Sequence, residues 1–428
     1  MISHSLFLFA STLDRSDRVS REIGIAVFGL GFLLPLLGGG NVLFTFEPTE
    51  ALPFWLVAVF GTVLILRRNS TRPPSEVADW TTAMLLVFLV WWTVAILVRH
   101  SGPRVPMETE ALLSGVLLYV GLSTCSIPAA AVEKLVVGLL LGTIGTAIYG
   151  QYQYWVAFPT VVPLFRAWGL EAQPFVNANF YNANAYAAFL GALVLLASGL
   201  VRDRKLTLLR RTAPWTIPLL VLTMILSRSR SAIALLSVVA LVRELWARDN
   251  GRGTSAPAGR TMAIVGALTA VLAVLLVKAD LTELWTIGWG GRVAIWQASL
   301  RMIHDHWALG VGLGCFADWF ASYQLTHYYT RYAHSFILEI FAELGIVGGL
   351  ALVGFLVGSF TAVVTRLRKA MKDPAEQIFL LAATSAAVFV VMHAAVDIDW
   401  HAPANVVLLF ILLGMMRAGR LDAGDRIP

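Results

Sequence analysis

Long apolar stretches recur along the whole chain, separated by short charged ones. "AMLLVFLVWWTVAILV" (83–98) and "GIVGGLALVGFLVGSF" (345–360) are two of them. In a bilayer every backbone N–H and C=O must be satisfied within the segment, so apolar runs of roughly 20 residues read as membrane helices. Twelve such segments are expected, near 23–38, 51–66, 81–98, 111–124, 132–150, 183–201, 214–227, 231–246, 261–278, 335–365, 377–395 and 402–416. The chain is 58% hydrophobic and 14% charged, whereas soluble domains average about 25% charged residues. Its 14 tryptophans, many near span ends, suit an aromatic belt. The expected fold is an all-α polytopic membrane protein of about 12 transmembrane helices, forming one integral membrane domain over 1–428.

The formal charge of +6 is read as a topology signal rather than a nucleic-acid surface. With both termini placed in the cytoplasm, 23 of the 32 basic residues fall in cytoplasmic segments and nine on the opposite side, as the positive-inside rule requires. The first 22 residues carry no basic n-region and no clear cleavage site, so a cleaved signal peptide is not expected. The two cysteines, Cys125 and Cys315, have no CxxC partner, which argues against a disulfide framework or a thiolate metal site. The segment 248–260, "RDNGRGTSAPAGR", reads as a cytoplasmic linker. Two outer segments are long, 151–182 and 279–334. Long connections between membrane helices are where functional residues gather.

Basic residues are disfavoured on the outer side, so those found there invite an explanation. "LSRSRSAIALL" (226–236) places Arg228 and Arg230 in a tight turn, with Arg230 at the start of the next helix. A helix N-terminus and a guanidinium both attract an anion; snorkelling to lipid headgroups is the alternative. Residues 292–304 read as a helix too short to span. Val293, Trp296, Leu300 and Ile303 make one apolar face of an interfacial helix. Arg292, in its first turn, is disfavoured by the helix dipole and so calls for an anionic partner. "GVGLG" (310–314) has the wrong spacing for a dinucleotide fingerprint and reads as a turn. Arg166 is another outer arginine. Asn177, Asn179, Asn182 and Asn184 cluster where the chain enters a span; they fit turns and caps or a patch that binds sugar or phosphate. His393, Asp397, Asp399 and His401 sit between the last two spans, with His393 and Asp397 at i and i+4. That pair lacks a clear third ligand, so no metal is expected, and their role stays open.

"YAHSFILEIFAELGIVGGL" (332–350) begins polar and ends as membrane helix. Ionisable groups at membrane depth are costly and read as functional by default. If 334–348 were one helix, His334, Gly345 and Gly348 would share a stripe, with Glu339 and Glu343 together on another face. His334 then stands at the outer boundary, as a catalytic group or as a capping histidine.

"HSFILEIFAELGIVG" resembles the signature of the bacterial O-antigen ligases and the related O-antigen polymerases. The pattern is His, then a small polar residue, then nine residues, then Gly-x-x-Gly; here these are His334, Ser335, Gly345 and Gly348. "SRSRSAIAL", "GRVAIWQASL" and "VDIDWHAPAN" are also similar to the family's motifs, and the resemblance spans roughly 170–410. It implies an inner-membrane protein with its active site at the periplasmic face. The long segments 151–182 and 279–334 would then be periplasmic, the latter carrying short interfacial helices. The resemblance further implies transfer of a glycan from undecaprenyl diphosphate to an acceptor hydroxyl, on lipid A-core in the ligases, without cofactor or metal. Carried over by motif, Arg230, Arg292 and His334 are catalytic. Arg228, Arg166, Asn177, Asn179, Glu339 and Glu343 are candidates for substrate binding.

The residue types fit that chemistry. A glycosyl diphosphate needs stabilisation of charge on its leaving group, which arginines provide, and a base for the attacking hydroxyl, most often histidine. A polymerase of the same superfamily would use the same groups. A transporter would instead place polar groups at the membrane midplane, whereas here they gather at one face.

Overall fold

The computed structural model describes residues 26–36, 79–124, 127–167, 174–180, 182–249, 290–324, 330–370, 373–418 and 420–421. Helices dominate: α1 (Ala26–Leu36), α2 (Trp80–Val98), α3 (Val105–Thr124), α4 (Ala129–Tyr152), α5 (Phe158–Ala167), α6 (Ala183–Leu200), α7 (Thr207–Leu226), α8 (Arg230–Asp249), α9 (Gly290–Asp305), α10 (Phe316–Tyr323), α11 (Phe336–Lys369), α12 (Pro374–Ala394) and α13 (Pro403–Ala418). Among the described residues the only strands are a two-residue parallel pair, Ile127–Pro128 with Arg420–Leu421. Ten of the twelve apolar segments coincide with helices; 51–66 and 261–278 lie outside the described residues, as does most of the linker 248–260. Among the described residues six helical stretches are long and apolar enough to cross a bilayer, and the chain is a multi-pass membrane protein.

Local chemistry sets the helix ends. Asp79 caps α2 by accepting from Thr82 N at 3.0 Å. Asn182 caps α6 through Asn184 N and Ala185 N, and Asp373 caps α12 ahead of Pro374, as short acceptor side chains at N-caps do. At the centre, α6 and α13 are buried almost all round. That is why their sequences show no polar stripe. They pack on α12 and α3 respectively. By contrast α2 exposes Val87, Val90, Val94 and Leu97, an apolar face suited to lipid.

Two expectations change. The segment 151–182 does not begin as a loop: Gln153–Ala157 form a π-turn that carries α4 into α5, so helix continues to Ala167. The rest of that segment includes a turn over 174–180, pinned by Val176 N to Leu226 O. Nor do 334–348 form one regular helix. His334 precedes α11 with φ 49°, Ser335 is the N-cap, and Gly345 interrupts the helix at φ 64°, ψ −163°. The proposed stripe of His334, Gly345 and Gly348 therefore does not exist. The break at Gly345 frees backbone groups, and its neighbours take them up. Val311 N donates to Ala342 O, Gly312 N to Glu343 O, and Ile346 N to Trp307 O. Trp91 Nε1 donates to Leu344 O at 2.8 Å. The 306–315 segment is thus zipped into the kink. Gly310, Gly312 and Gly314 all take positive φ there, which makes "GVGLG" the turn its composition suggested.

Beneath α9 and α10 lies a second, small core of Ile295, Ala298, Met302, Val311, Phe316, Phe320, Ala333 and Ala342. It mounts the site helices on α11.

Candidate active site

Asp397 is the hub of the site. It follows α12 in the short turn before α13 and its side chain is fully buried. One carboxylate oxygen accepts from the Arg292 guanidinium and from Asn184 Nδ2 at 2.9 Å. The other accepts from Ile398 N at 2.9 Å and faces His334 Nδ1 at 3.9 Å. Burial pushes this carboxyl up, but His334, Arg292 and His393 together hold it below the usual carboxylate range. The anionic partner that Arg292 demanded is therefore an aspartate about a hundred residues downstream.

His334 is held in the left-handed region, which a non-glycine residue adopts at a cost and keeps only when its surroundings over-determine it. They do so here. Trp296 Nε1 donates to His334 O at 3.3 Å, and Ser335 Oγ accepts from Leu338 N. On the other side Ala333 N donates to Glu339 at 2.9 Å. The imidazole Nδ1 is buried with no hydrogen-bond partner and aimed at Asp397, while the ring as a whole stays 23% exposed.

Beside this centre, His393 Nδ1 meets Asp399 at 2.6 Å and its Nε2 meets Ser231 Oγ at 3.0 Å. Ser231 is the residue after Arg230, so the start of α8 is tied to the α12 end that carries Asp397. Burial and the neighbouring Asp397 raise the Asp399 carboxyl, although His393 opposes them. In the i, i+4 pair His393 and Asp397 each side chain has its own partners. Among the described residues no three His, Cys, Asp or Glu side chains group as a metal cage.

A second buried cluster supports the loop before α11. His401 is sandwiched between Glu108 on α3 and Glu339 on α11, at 2.8 Å on each ring nitrogen. Burial alone would lower its pKa, but Glu339 and Glu108 push it up to about 10, so it is an imidazolium. Tyr332 lies on its face with ring centroids 4.0 Å apart, and Arg104 covers Tyr332.

The other candidates distribute differently. Arg230 opens α8 and Arg228 sits at φ 61° in the turn before it; both are exposed. Glu339 accepts from Ala333 N and so fixes the backbone next to His334. Glu343 accepts from Phe316 N at 3.0 Å, capping α10 where Cys315 makes no side-chain cap. Asn179 donates to Pro35 O and Leu36 O, and Asn177 O accepts from Phe180 N in a turn. Asn177 thus shapes a local turn, whereas Asn179 ties that turn to the end of α1. The Arg166 backbone belongs to α5, and its side chain lies outside the described residues. Sequence reasoning left Asn184 and Asp397 unassigned and passed over Glu108. The available signal was the concentration of ionisable groups in "VDIDWH" at a span end.

Residues 215–353, about a third of the chain, match the family described as O-Antigen ligase. The match contains Arg228, Arg230, Arg292, His334, Glu339 and Glu343 and stops short of Asp397. No curated protein matches the chain.

Proposed function

Taking the O-antigen ligase domain at 215–353 as the premise, which supports membership in that family, we propose that the chain is a glycosyltransferase of the O-antigen ligase type. It moves a glycan from undecaprenyl diphosphate to a hydroxyl of lipid A-core at the periplasmic face of the inner membrane, with both its termini in the cytoplasm. The observation that carries the reading is the meeting of Arg292, His334 and Asp397 at one point, on three separate elements.

In this mechanism the Asp397 carboxylate, which His334 Nδ1 faces at 3.9 Å, favours the proton on Nδ1 and so leaves the other ring nitrogen, Nε2, free as the base. The acceptor hydroxyl gives its proton to Nε2 as its oxygen bonds to the anomeric carbon. The bond from that carbon to the diphosphate oxygen breaks, and its electron pair leaves with the diphosphate. Arg292 stabilises the charge that grows there, with Arg230 at the N-terminus of α8 as a second cation. Removing one such donor costs roughly 100- to 1000-fold in comparable sites. Displacement in one step inverts the anomeric centre and needs no carboxylate nucleophile.

The test is a reaction of purified protein with undecaprenyl diphosphate-linked glycan and lipid A-core. A ligated product supports the proposal. A polymer ladder formed without lipid A-core assigns the chain to polymerisation by the same chemistry, and absence of turnover with either acceptor overturns the enzyme reading.

A further inference from the structure

Helix α9 has three faces, not two. Ile295, Ala298, Ser299 and Met302 are buried against the small core. Gln297, Arg301, His304 and Asp305 are exposed on a polar side. Between these runs an apolar stripe that the described chain covers only in part: Val293 and Leu300 are exposed, while Trp296, bonded to His334 O, and Ile303, packed on the small core, are half-buried. At about 100° per residue these four lie within roughly 80° of one another. The i→i−4 bonding continues past the helix through His306 N to Met302 O and Gly310 N to His306 O. That brings Trp307 onto the same stripe, 62% exposed, followed by exposed Ala308 and by Leu309 at 50%. One face on protein, one polar and one apolar and partly bare is the pattern of a helix at a membrane boundary.

The hydrogen bonds give the depth of its far end. Trp307 O accepts from Ile346 N, one residue past the Gly345 kink, and Trp91 Nε1 reaches Leu344 O just before it. Trp91 stands seven residues before the end of α2 at Val98, which is about 10 Å at 1.5 Å per residue. The other end of the 306–315 segment is tied to the exit of α2, with Gly102 N donating to Leu313 O. The segment therefore descends along α2 and α11 from the span boundary and returns. Its bare apolar tip continues the exposed apolar face of α11 at Ile346, Val347 and Leu350.

We propose that α9 and its following turn are embedded in the bilayer, with Trp307 and Leu309 inserted among the acyl chains of the leaflet on the site side. The occupant of this surface is bulk lipid, because the surface is continuous with the lipid-facing side of a membrane span. The polar stripe with Arg301, His304 and Asp305 faces headgroups and water. Arg292 lies fifteen residues before Trp307, about 20 Å along the helix axis. The embedded end thus acts as an anchor that sets the tilt of α9 and the height of Arg292 relative to the phosphate layer. Nothing in this inference depends on the reaction assigned to the site.

The test uses the full chain in phospholipid vesicles. Leu309→Cys and His304→Cys are made singly with Cys125→Ser and Cys315→Ala, spin-labelled, and compared with Val90→Cys and Val94→Cys on α2. The expected result is a Leu309 label that collides with oxygen more than with a nickel chelate, as the α2 labels do, and a His304 label with the reverse preference. A Leu309 label open to the nickel chelate places the turn in water and overturns the proposal. A label shielded from both reagents means that protein covers the turn, and overturns it equally. An independent measurement leaves the cysteines in place: the emission lost on Trp307→Phe should be quenched in the parent chain by lipids brominated in the acyl chain. Absence of that quenching also refutes insertion.

Discussion

Replacing Asp397 by asparagine keeps the side chain's shape and removes its charge, which isolates what the carboxylate does. The buried carboxylate accepts from Arg292 and Asn184 on one oxygen and from Ile398 N on the other. An amide has one oxygen for these two jobs. If the oxygen stays on Ile398 N, the NH2 group faces two donors. If it turns to Arg292, the NH2 group faces a backbone N–H and His334 Nδ1. Either way one set of bonds becomes a donor–donor contact. A hydrogen bond to a charged group is worth about 1.5–3 kcal/mol and a neutral one about 0.5–1.5. The expected loss is therefore about 3 kcal/mol, near the low end for breaking a buried pair, because the Arg292 side chain keeps 18% exposure and some hydration.

That loss should appear in transfer rather than in unfolding, because α9 packs on the surface of α11 and contributes no span. At 1.36 kcal/mol per decade, about 3 kcal/mol corresponds to a roughly 100-fold slower single-turnover rate. The assay is a double-mutant cycle of Asp397→Asn and Arg292→Lys, measured as single-turnover transfer from the lipid-linked donor in nanodiscs. If the two act as one unit, the double variant is no slower than the worse single one, with a coupling of about 2 kcal/mol or more. Effects that multiply independently would refute the reasoning, since Asp397 would then act without Arg292.

The roles of base and anion clamp separate in simpler variants. Arg292→Lys should weaken donor binding and slow transfer, because lysine lacks the planar fork. His334→Ala should keep donor affinity while losing transfer, because proton removal matters only as the hydroxyl attacks. Filter binding and single-turnover rates read both, and near-normal transfer in His334→Ala removes it as the base. The His401 clamp predicts an alkaline weakness. Its pKa rises from about 6.5 in the unfolded chain to about 10 in the fold, so its stabilisation is complete below pH 6.5 and is lost as pH rises towards 10. The unfolding temperature should fall across that window in the parent chain and not in His401→Gln. Gly345→Ala should destabilise by about 3 kcal/mol or more, because φ 64°, ψ −163° is a glycine region and the new Cβ would lie 2.5 Å from Ala308 O. Gly291→Ala, with open space around it, should leave the unfolding temperature unchanged.

Hydropathy is a local property, so the positions of α2, α6, α11 and α12 could be read from the chain alone. The same holds for one apolar face of α9, visible at Val293, Trp296, Leu300 and Ile303, but not for its buried face at Ile295, Ala298 and Met302. What could not be read was which charges meet. Arg292 signalled by its unfavourable place in a first turn that an anion should be near, but nothing local identifies Asp397 as that anion rather than Glu339 or Glu343. That choice is made by packing: α9 rests on α11, and the Asp397 turn comes to it from the far end of α12. The kink at Gly345 was hidden for a related reason. Helical periodicity assumes continuous i→i−4 bonding, whereas the break is stable only because Val311, Gly312, Trp307 and Trp91 take up the freed groups. The two carboxylates share a face because both precede the break, but they take different partners there: Glu343, just before the kink, caps α10, and Glu339, a turn earlier, meets His401. The kink receives the 306–315 turn while Glu339 braces the backbone beside His334. One interrupted helix therefore positions both the lipid-facing end of α9 and the histidine that faces Asp397.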